Sequence, residues 1–477
     1  VRSSFKWSVV SAILKQALSL IRSIVMARLL SQHDFGLFGM ANTVTTAFAL
    51  LTNVGMQHSI IVQEFQDDRG RAAYLNTVWT FEILRRLALS LLIVAISYPA
   101  ALFYKQQQVT FVIMALALTP VIEGFQNIGM ALYRKEVRFN RLVFFDAAQA
   151  VLSTVVVCFL ALYVRNVWAL VYGQLLTSVL SVVISYLLHP FRPRLGFDKR
   201  AYRSAFQFGK FILVINLATY ITTTADNVVV GRLLGTAPLG AYVIAYSIAN
   251  LPVLIVTQSL GSVLYPAYAE LAAGDPNRLR QAITRVVTLG ITINLAISMP
   301  LFVIPEQLVV LLYGAKWREA GQVLGVLALI GLLRGLTHLV SPLLIGLKRP
   351  DLDAKAKIAE TIFFLVTIYP CTLYYGLYGA AWCGVVCYTA AFLQRYYFAN
   401  RLVPISRQVR RTFCIALLAA PMVIWLSRML MERLSVVLAQ LLLGITLPSA
   451  ALLAVMILFS PVLRREARSL RRAPQTT

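Results

Sequence analysis

The chain is poor in charge, and poorest in negative charge. Charged residues make up 13% of its 477 positions, with 44 Lys and Arg against 19 Asp and Glu. A soluble globular chain carries about a quarter charged residues, so this length is not two or three water-soluble domains. Histidine is scarce: His33, His58, His189 and His338 are scattered, and no H-E-x-x-H pair occurs. There is no P-loop and no glycine-rich turn between a strand and a helix. The motifs of ATP hydrolysis and of zinc proteases are therefore missing. Five cysteines (Cys158, Cys371, Cys383, Cys387 and Cys414) all lie in apolar stretches, with no His or acidic residue close in sequence to the Cys383–Cys387 turn. They read as small buried residues, so neither a metal site nor a bound cofactor is expected. No loop is long enough for a catalytic domain, which sets aside a membrane glycosyltransferase or polymerase. The chain is expected not to be an enzyme.

What fills the sequence instead is hydrocarbon. Hydrophobic residues reach 59%, mean hydropathy is +0.74, and apolar runs long enough to cross about 30 Å as a helix recur throughout. About fourteen spans are expected, the first at 7–29 and the last at 436–460. The fold class is an all-α polytopic membrane protein. Taking the N-terminus as cytoplasmic and alternating puts about 28 basic residues on that side and about 8 on the other, so both ends are expected inside. The formal charge of +25 is then a loop property and no nucleic-acid partner is expected. The first apolar segment has no cleavage-type site after it and is expected to stay as a span.

The sequence also repeats itself at an offset of about 204 positions. Lys6 falls on Lys210, Arg28-Leu29-Leu30 on Arg232-Leu233-Leu234, Gly36 on Gly240 and Ala41 on Ala245. A repeat that preserves orientation calls for two parallel six-span halves. The expected organisation is an N-lobe at 1–189, a cytoplasmic linker at 190–206, a C-lobe at 207–402, and two extra helices with a basic tail at 403–477.

Charges inside spans carry the functional signal, because each is expensive there. Lys210, Arg285 and Arg395 lie near span ends and are expected to snorkel. Glu82 with Arg85 and Arg86 has i,i+3 and i,i+4 spacing, so an internal salt bridge explains it as well as a site does. Asp146 and Glu360 sit about one turn in and are expected to pair with loop arginines. Lys15, Arg22, Asp226, Arg334 and Glu123 are harder to account for. Lys15 and Arg22, seven apart, share one helix face, and Arg22 is the repeat counterpart of Asp226. Those two form either a structural pair or part of a cationic, water-filled cavity. Asn42, Thr46 and Asn53 would line one face of the second span beside it. Thr219, Thr222, Thr223, Thr224 and Asn227 crowd the seventh span around Asp226. Net positive charge with amides and hydroxyls suits an anionic head bearing hydroxyls, such as a sugar diphosphate.

Several stretches resemble a known family. They are MARLLSQHDFGLFGMA, NVGMQHSIIVQ, VVLLYGAKWREAGQVLGVLALIGLLRGL at 309–336 and DNVVVGRLLGTAPLGAYVIAYSIANLP at 226–252. They are similar to the Wzx-type lipid-linked oligosaccharide flippases of the multidrug/oligosaccharidyl-lipid/polysaccharide exporter superfamily, with the colanic-acid and succinoglycan exporters nearest in look. The resemblance implies two six-helix lobes around a cationic cavity, and two further C-terminal helices. It implies movement of undecaprenyl-diphosphate-linked repeat units across the bacterial inner membrane by alternating access. Proton or sodium coupling would follow, with a polymerase and co-polymerase as partners. Arg22 and Arg334 would hold the diphosphate with Lys15 assisting and Asn42 and Asn53 beside them; Asp226 and Glu123 would gate or couple. A multidrug exporter of the same superfamily would need acids to dominate the cavity, which the interior Lys and Arg oppose. A lipid II flippase shares the fold and remains a rival.

Overall fold

The computed structural model describes residues 2–52, 60, 63, 67–136, 139–199, 220–221, 223–253, 268, 270–271, 276–404, 407–432, 437–460 and 463–464. Every regular element among them is helical. Eight of the helices are long and apolar enough to cross a membrane, which makes the protein all-α and multi-pass. Parts of the expected spans at 207–233 and 239–266 lie outside the described residues, so the count of fourteen stays an expectation. The chain divides into two compact units, Val1–Val243 and Ile244–Thr477.

The first unit runs α1 (Arg2–Leu29), α2 (Gln32–Thr52), α3 (Asp68–Tyr104), α4 (Gln108–Leu116), α5 (Leu118–Gly124), α6 (Met130–Lys135), α7 (Phe139–Val164), α8 (Val167–Leu188), α9 at 223–234 and the start of α10 (Thr236–Ala249). The α1–α2 turn is fixed by a reciprocal cap. The backbone N–H of Ser31 donates to Asp34 Oδ2 at 3.0 Å, and the Asp34 N–H donates to Ser31 Oγ at 3.2 Å. Such a pairing satisfies amides that a helix start leaves open. The other Asp34 oxygen accepts the Val167 N–H at 2.9 Å, so the same carboxylate also holds the start of α8.

The sequence repeat has a physical counterpart here. A Cβ on Gly36 would overlap the carbonyl oxygen of Thr236, and one on Gly240 would overlap that of Gln32. Gln32 and Thr236 are themselves matched positions, so the two copies meet through equivalent backbone atoms, each glycine against the other's helix start. Membrane helices approach this closely only where side chains are missing. His33 Nδ1 reaches Thr236 Oγ1 at 2.7 Å beside the contact.

The expected linker does not hang free where it is described. Residues 190–198 are extended, and backbone N–H groups two apart face α3, as strand periodicity requires. Arg194 donates to Asn76 Oδ1 (2.9 Å), Gly196 to Thr80 Oγ1 (3.0 Å) and Asp198 to Thr77 Oγ1 (2.9 Å). Asn127 Nδ2 donates to the carbonyls of His189 (3.3 Å) and Phe191 (2.7 Å). Polar side chains of α3 thus stand in for the strand that would otherwise satisfy these amides.

The second unit continues α10 and adds α11 (Pro276–Val303), α12 (Pro305–Tyr313), α13 (Arg318–Gly346), α14 (Pro350–Leu402), α15 (Arg407–Glu432) and α16 (Val437–Phe459). α14 folds back at Gly376 (φ 58°, ψ −142°), so it is two antiparallel arms, as the expected spans on either side of 377 require. The Leu-Tyr-Gly-x-x-Trp stretch is a turn between α12 and α13. Gly314 has φ 100°, and Tyr313 and Trp317 are fully buried at 0% exposure. Asn294 of α11 donates to the Leu332 carbonyl of α13 at 3.1 Å, through space that a Cβ on Gly335 would fill.

The linker gives a pH prediction. His189 lies just past the end of α8, and its Nδ1 accepts the Phe191 N–H at 3.1 Å, so the docked linker needs that nitrogen unprotonated. Burial, first, and then Arg192 and Arg71 hold its pKa below the ordinary 6.5, with Glu136 opposing. The depressed value means docking is unaffected above that pH and weakens as pH falls below it, because the released imidazole binds a proton that the docked one resists. Trypsin cleavage after Arg194, which precedes Leu195, is expected to speed up between pH 7.5 and pH 5.5 relative to a reference site, and Thr77→Val with Thr80→Val to speed it at both. Unchanged cleavage in the double variant would contradict the docking.

Candidate functional site

Among the described residues, a concavity with convergent polar groups lies inside the first unit. It is a cavity of about 310 Å³ lined by Asn42, Thr45 and Thr46 of α2, Arg85 and Arg86 of α3, Thr119 and Glu123 of α5, and Gln174 of α8. The break between α4 and α5 helps to open it. Pro120 has no N–H, so the Leu116 carbonyl on the cavity wall cannot receive the helical bond from that position. The chain stays helical through Ala117 (φ −61°, ψ −20°), and Glu123, just past Pro120, faces α3, where it meets Arg86.

Electrostatics in this cavity are set by two arginines and two carboxylates. Glu82 is buried, with 4% of its side chain exposed, and its Oε2 accepts from Arg85 at 2.5 Å and from Arg86 at 3.4 Å. Arg86 also donates to Glu123 Oε2 at 2.7 Å. The second Glu123 oxygen takes a long bond from Ser178 at 3.4 Å. Glu82 is held within the helix packing, whereas Glu123 is 39% exposed and faces the cavity. The lining itself thus holds two guanidinium groups and one carboxylate, with Arg86 shared between the two acids.

The expected site residues divide on inspection. Asn42 and Glu123 line this cavity together. Asn53 lies outside the described residues. Lys15 and Arg22 do share a face of α1, but that face packs on α7 rather than joining the lining. Lys15 pairs with Asp146, and Arg22 stands against Cys158. Asp146, expected to find a loop arginine, is thus taken by Lys15. No acidic partner is found for Arg22 among the described residues. Arg22 and Asp226 form no ion pair. Asp226, 5% exposed, instead accepts from Tyr242 Oη at 3.0 Å and from the Asn227 N–H at 2.9 Å.

In the second unit, Arg334 of α13 donates to Tyr246 Oη (2.5 Å) and Asn250 Oδ1 (2.9 Å), and stands 5.8 Å and 5.6 Å from the ring centres of Tyr246 and Tyr388. Ring faces attract the guanidinium through their quadrupoles, and the hydroxyl and amide oxygens accept its N–H groups. Arg395, expected to snorkel, is instead buried at 3% exposure. Its Nε binds Asp353 at 2.8 Å and its Nη1 binds Glu360 at 3.0 Å, while Lys357 reaches Glu360 at 2.9 Å. This balanced cluster ties the two arms of α14 and explains Glu360 as structural.

Arg85 and Arg86, which the sequence left between a salt bridge and a site, line the cavity, and so do Thr45, Thr119 and Gln174, which sequence reasoning did not single out. The i,i+4 spacing to Glu82 offered a sufficient local explanation. The cue that was available was Glu123, a second in-span acid with no local base.

A family model described as "Polysaccharide biosynthesis protein" matches residues 25–322. The chain is 24% identical to the lipopolysaccharide biosynthesis protein WzxC of Escherichia coli K12, over 77% of this chain and 74% of that protein. It is 22% identical to the succinoglycan biosynthesis transport protein ExoT of Rhizobium meliloti, over 68% of this chain and 64% of that one. Among solved structures, the lipid II flippase MurJ in an inward closed conformation superposes with a TM-score of 0.76, covering 97% of this chain and 99% of that chain at 12% identity. At that identity the likeness is one of fold.

Arg395→Met removes the cation that two buried carboxylates share, and is expected to destabilise the protein by about 3–5 kcal/mol. Thermal unfolding in detergent measures this. A change within experimental scatter would mean that Asp353 and Glu360 are solvated after all.

Proposed function

The chain belongs to the polysaccharide biosynthesis protein family, and from that premise we propose that it is a flippase for undecaprenyl-diphosphate-linked oligosaccharide repeat units. It would carry them from the inner to the outer leaflet of the bacterial inner membrane, with both of its ends cytoplasmic, for exopolysaccharide, capsule or O-antigen synthesis. The observation that carries the reading is the cavity where Arg85 and Arg86 stand beside Asn42, Thr45, Thr46 and Gln174. Guanidinium groups bind phosphate oxygens through paired N–H donors, and amides and hydroxyls suit sugar hydroxyls. A multidrug exporter for organic cations would be poorly served by a lining with more guanidinium than carboxylate.

Coupling is assigned to Glu123. An arriving diphosphate competes with the Glu123 carboxylate for Arg86, and a proton on Glu123 removes that competitor. Anion binding at Arg86 and proton binding at Glu123 therefore favour one another, and by linkage each strengthens the other equally. This accounts for a proton as the coupling ion without excluding sodium at another place. Arg22 and Arg334 are proposed as further contacts for the anionic head, Arg22 because no acid meets it among the described residues, Arg334 because it is an in-span cation set among tyrosine and asparagine side chains that also suit a sugar head. Lys15, tied to Asp146, and Asn53 are proposed as secondary contacts. Asp226, bonded to Tyr242, is proposed as a gate residue that releases as its helix moves. Alternating access would proceed between six-helix lobes at 1–189 and 207–402, with the helices at 403–477 appended and a polymerase and co-polymerase receiving the product.

The test is complementation of a flippase-deleted exopolysaccharide strain, with membrane levels checked. Wild type restores polymer. Arg86→Gln is expected to cut polymer output by about tenfold or more, the loss of a charge-assisted contact. Normal output from a well-expressed Arg86→Gln protein would take the cavity out of the mechanism.

A further inference from the structure

The second unit contains a cavity of different character. It measures about 230 Å³ and lies among α11, α13, the second arm of α14, and the first turns of α15. Val287, Leu339, Phe392 and Phe413 represent its aliphatic and aromatic walls, and Arg410 is the one charged side chain in its lining. Phe392 and Phe413 stack at 5.9 Å with planes 17° apart, giving the cavity a rigid wall.

Arg410 does not stand alone. Arg407, Arg410 and Arg411 occupy the first two turns of α15, all exposed, and the first turn contains no acid. No ion pair joins any of the three to an acid among the described residues. Three cations at the positive end of a helix oppose its dipole. A group that is anionic at one end and hydrocarbon over its body would relieve that charge and fill the cavity in one act. We propose that this cavity is a site for one acyl chain of an anionic bilayer phospholipid, with its phosphate at Arg410. The volume is below the roughly 300–1,000 Å³ of pockets that enclose drug-sized ligands. It therefore accepts part of a single chain.

The experiment is native mass spectrometry of the full chain titrated with phosphatidylglycerol or phosphatidylcholine of matched chains. Wild type is expected to hold a phosphatidylglycerol adduct at about tenfold lower lipid concentration than Arg410→Gln does, the loss of one charged contact. Arg141→Gln, a basic change in the first unit, is expected to leave the adduct as in wild type. Val287→Phe, which fills the cavity, is expected to weaken it without touching charge; should that variant fail to fold, Arg410→Gln decides alone. Equal retention of the two lipids, or a wild-type adduct in Arg410→Gln, overturns the proposal. So does displacement of phosphatidylglycerol by undecaprenyl phosphate with the same Arg410 dependence, which would give the pocket to the substrate's tail.

Discussion

A charge inside an apolar helix must find a counter-charge, a polar shell or a water-filled cavity, and the placement of this protein's interior charges follows from that constraint. Lys15 takes Asp146, and Arg395 with Lys357 takes Asp353 and Glu360. The Arg395 cluster is buried and balanced, two cations against two carboxylates, whereas Lys15 and Asp146 each stay 41% exposed. The set in the first unit is different. Arg86 is divided between a buried acid and an exposed one, and the exposed one faces a cavity. A shared guanidinium can be given to a new anion at the cost of one existing contact, which is what a transport site that must also release its cargo requires.

Much of the architecture was legible because membrane helices announce themselves by composition. The apolar runs, the in-span charges and the repeat all follow from the absence of water in the bilayer core. The match of Gly36 with Gly240 was visible as letters; its meaning is geometric, since each glycine admits the backbone of the other copy. What sequence could not give was partner choice. Local spacing made Glu82 sufficient for Arg85 and Arg86, yet Glu123 reaches Arg86 from 37 positions away. Asp146 and Lys15 meet through the packing of α7 on α1, and Arg395 reaches Asp353 across a hairpin. Tertiary contact overrode the nearest-neighbour reading in each case.

The docked linker follows the same rule in milder form. Backbone amides at 194, 196 and 198 find side-chain oxygens on α3 instead of a strand. Asn76, Thr77 and Thr80 were not singled out from the sequence, because their service to a distant segment has no signature in spacing. The Trp317 turn runs the other way. It is among the most recognisable motifs of the sequence, and its two aromatic residues, Tyr313 and Trp317, are buried in the packing of the second unit.

The most direct test of the account is calorimetric titration of the purified protein with undecaprenyl diphosphate in two buffers of different ionisation enthalpy. The account predicts that wild type takes up a proton on binding, that Glu123→Gln binds more tightly without proton uptake, and that Arg86→Gln binds about tenfold or more weakly. Undiminished binding by Arg86→Gln, or the same proton uptake in Glu123→Gln as in wild type, would contradict it.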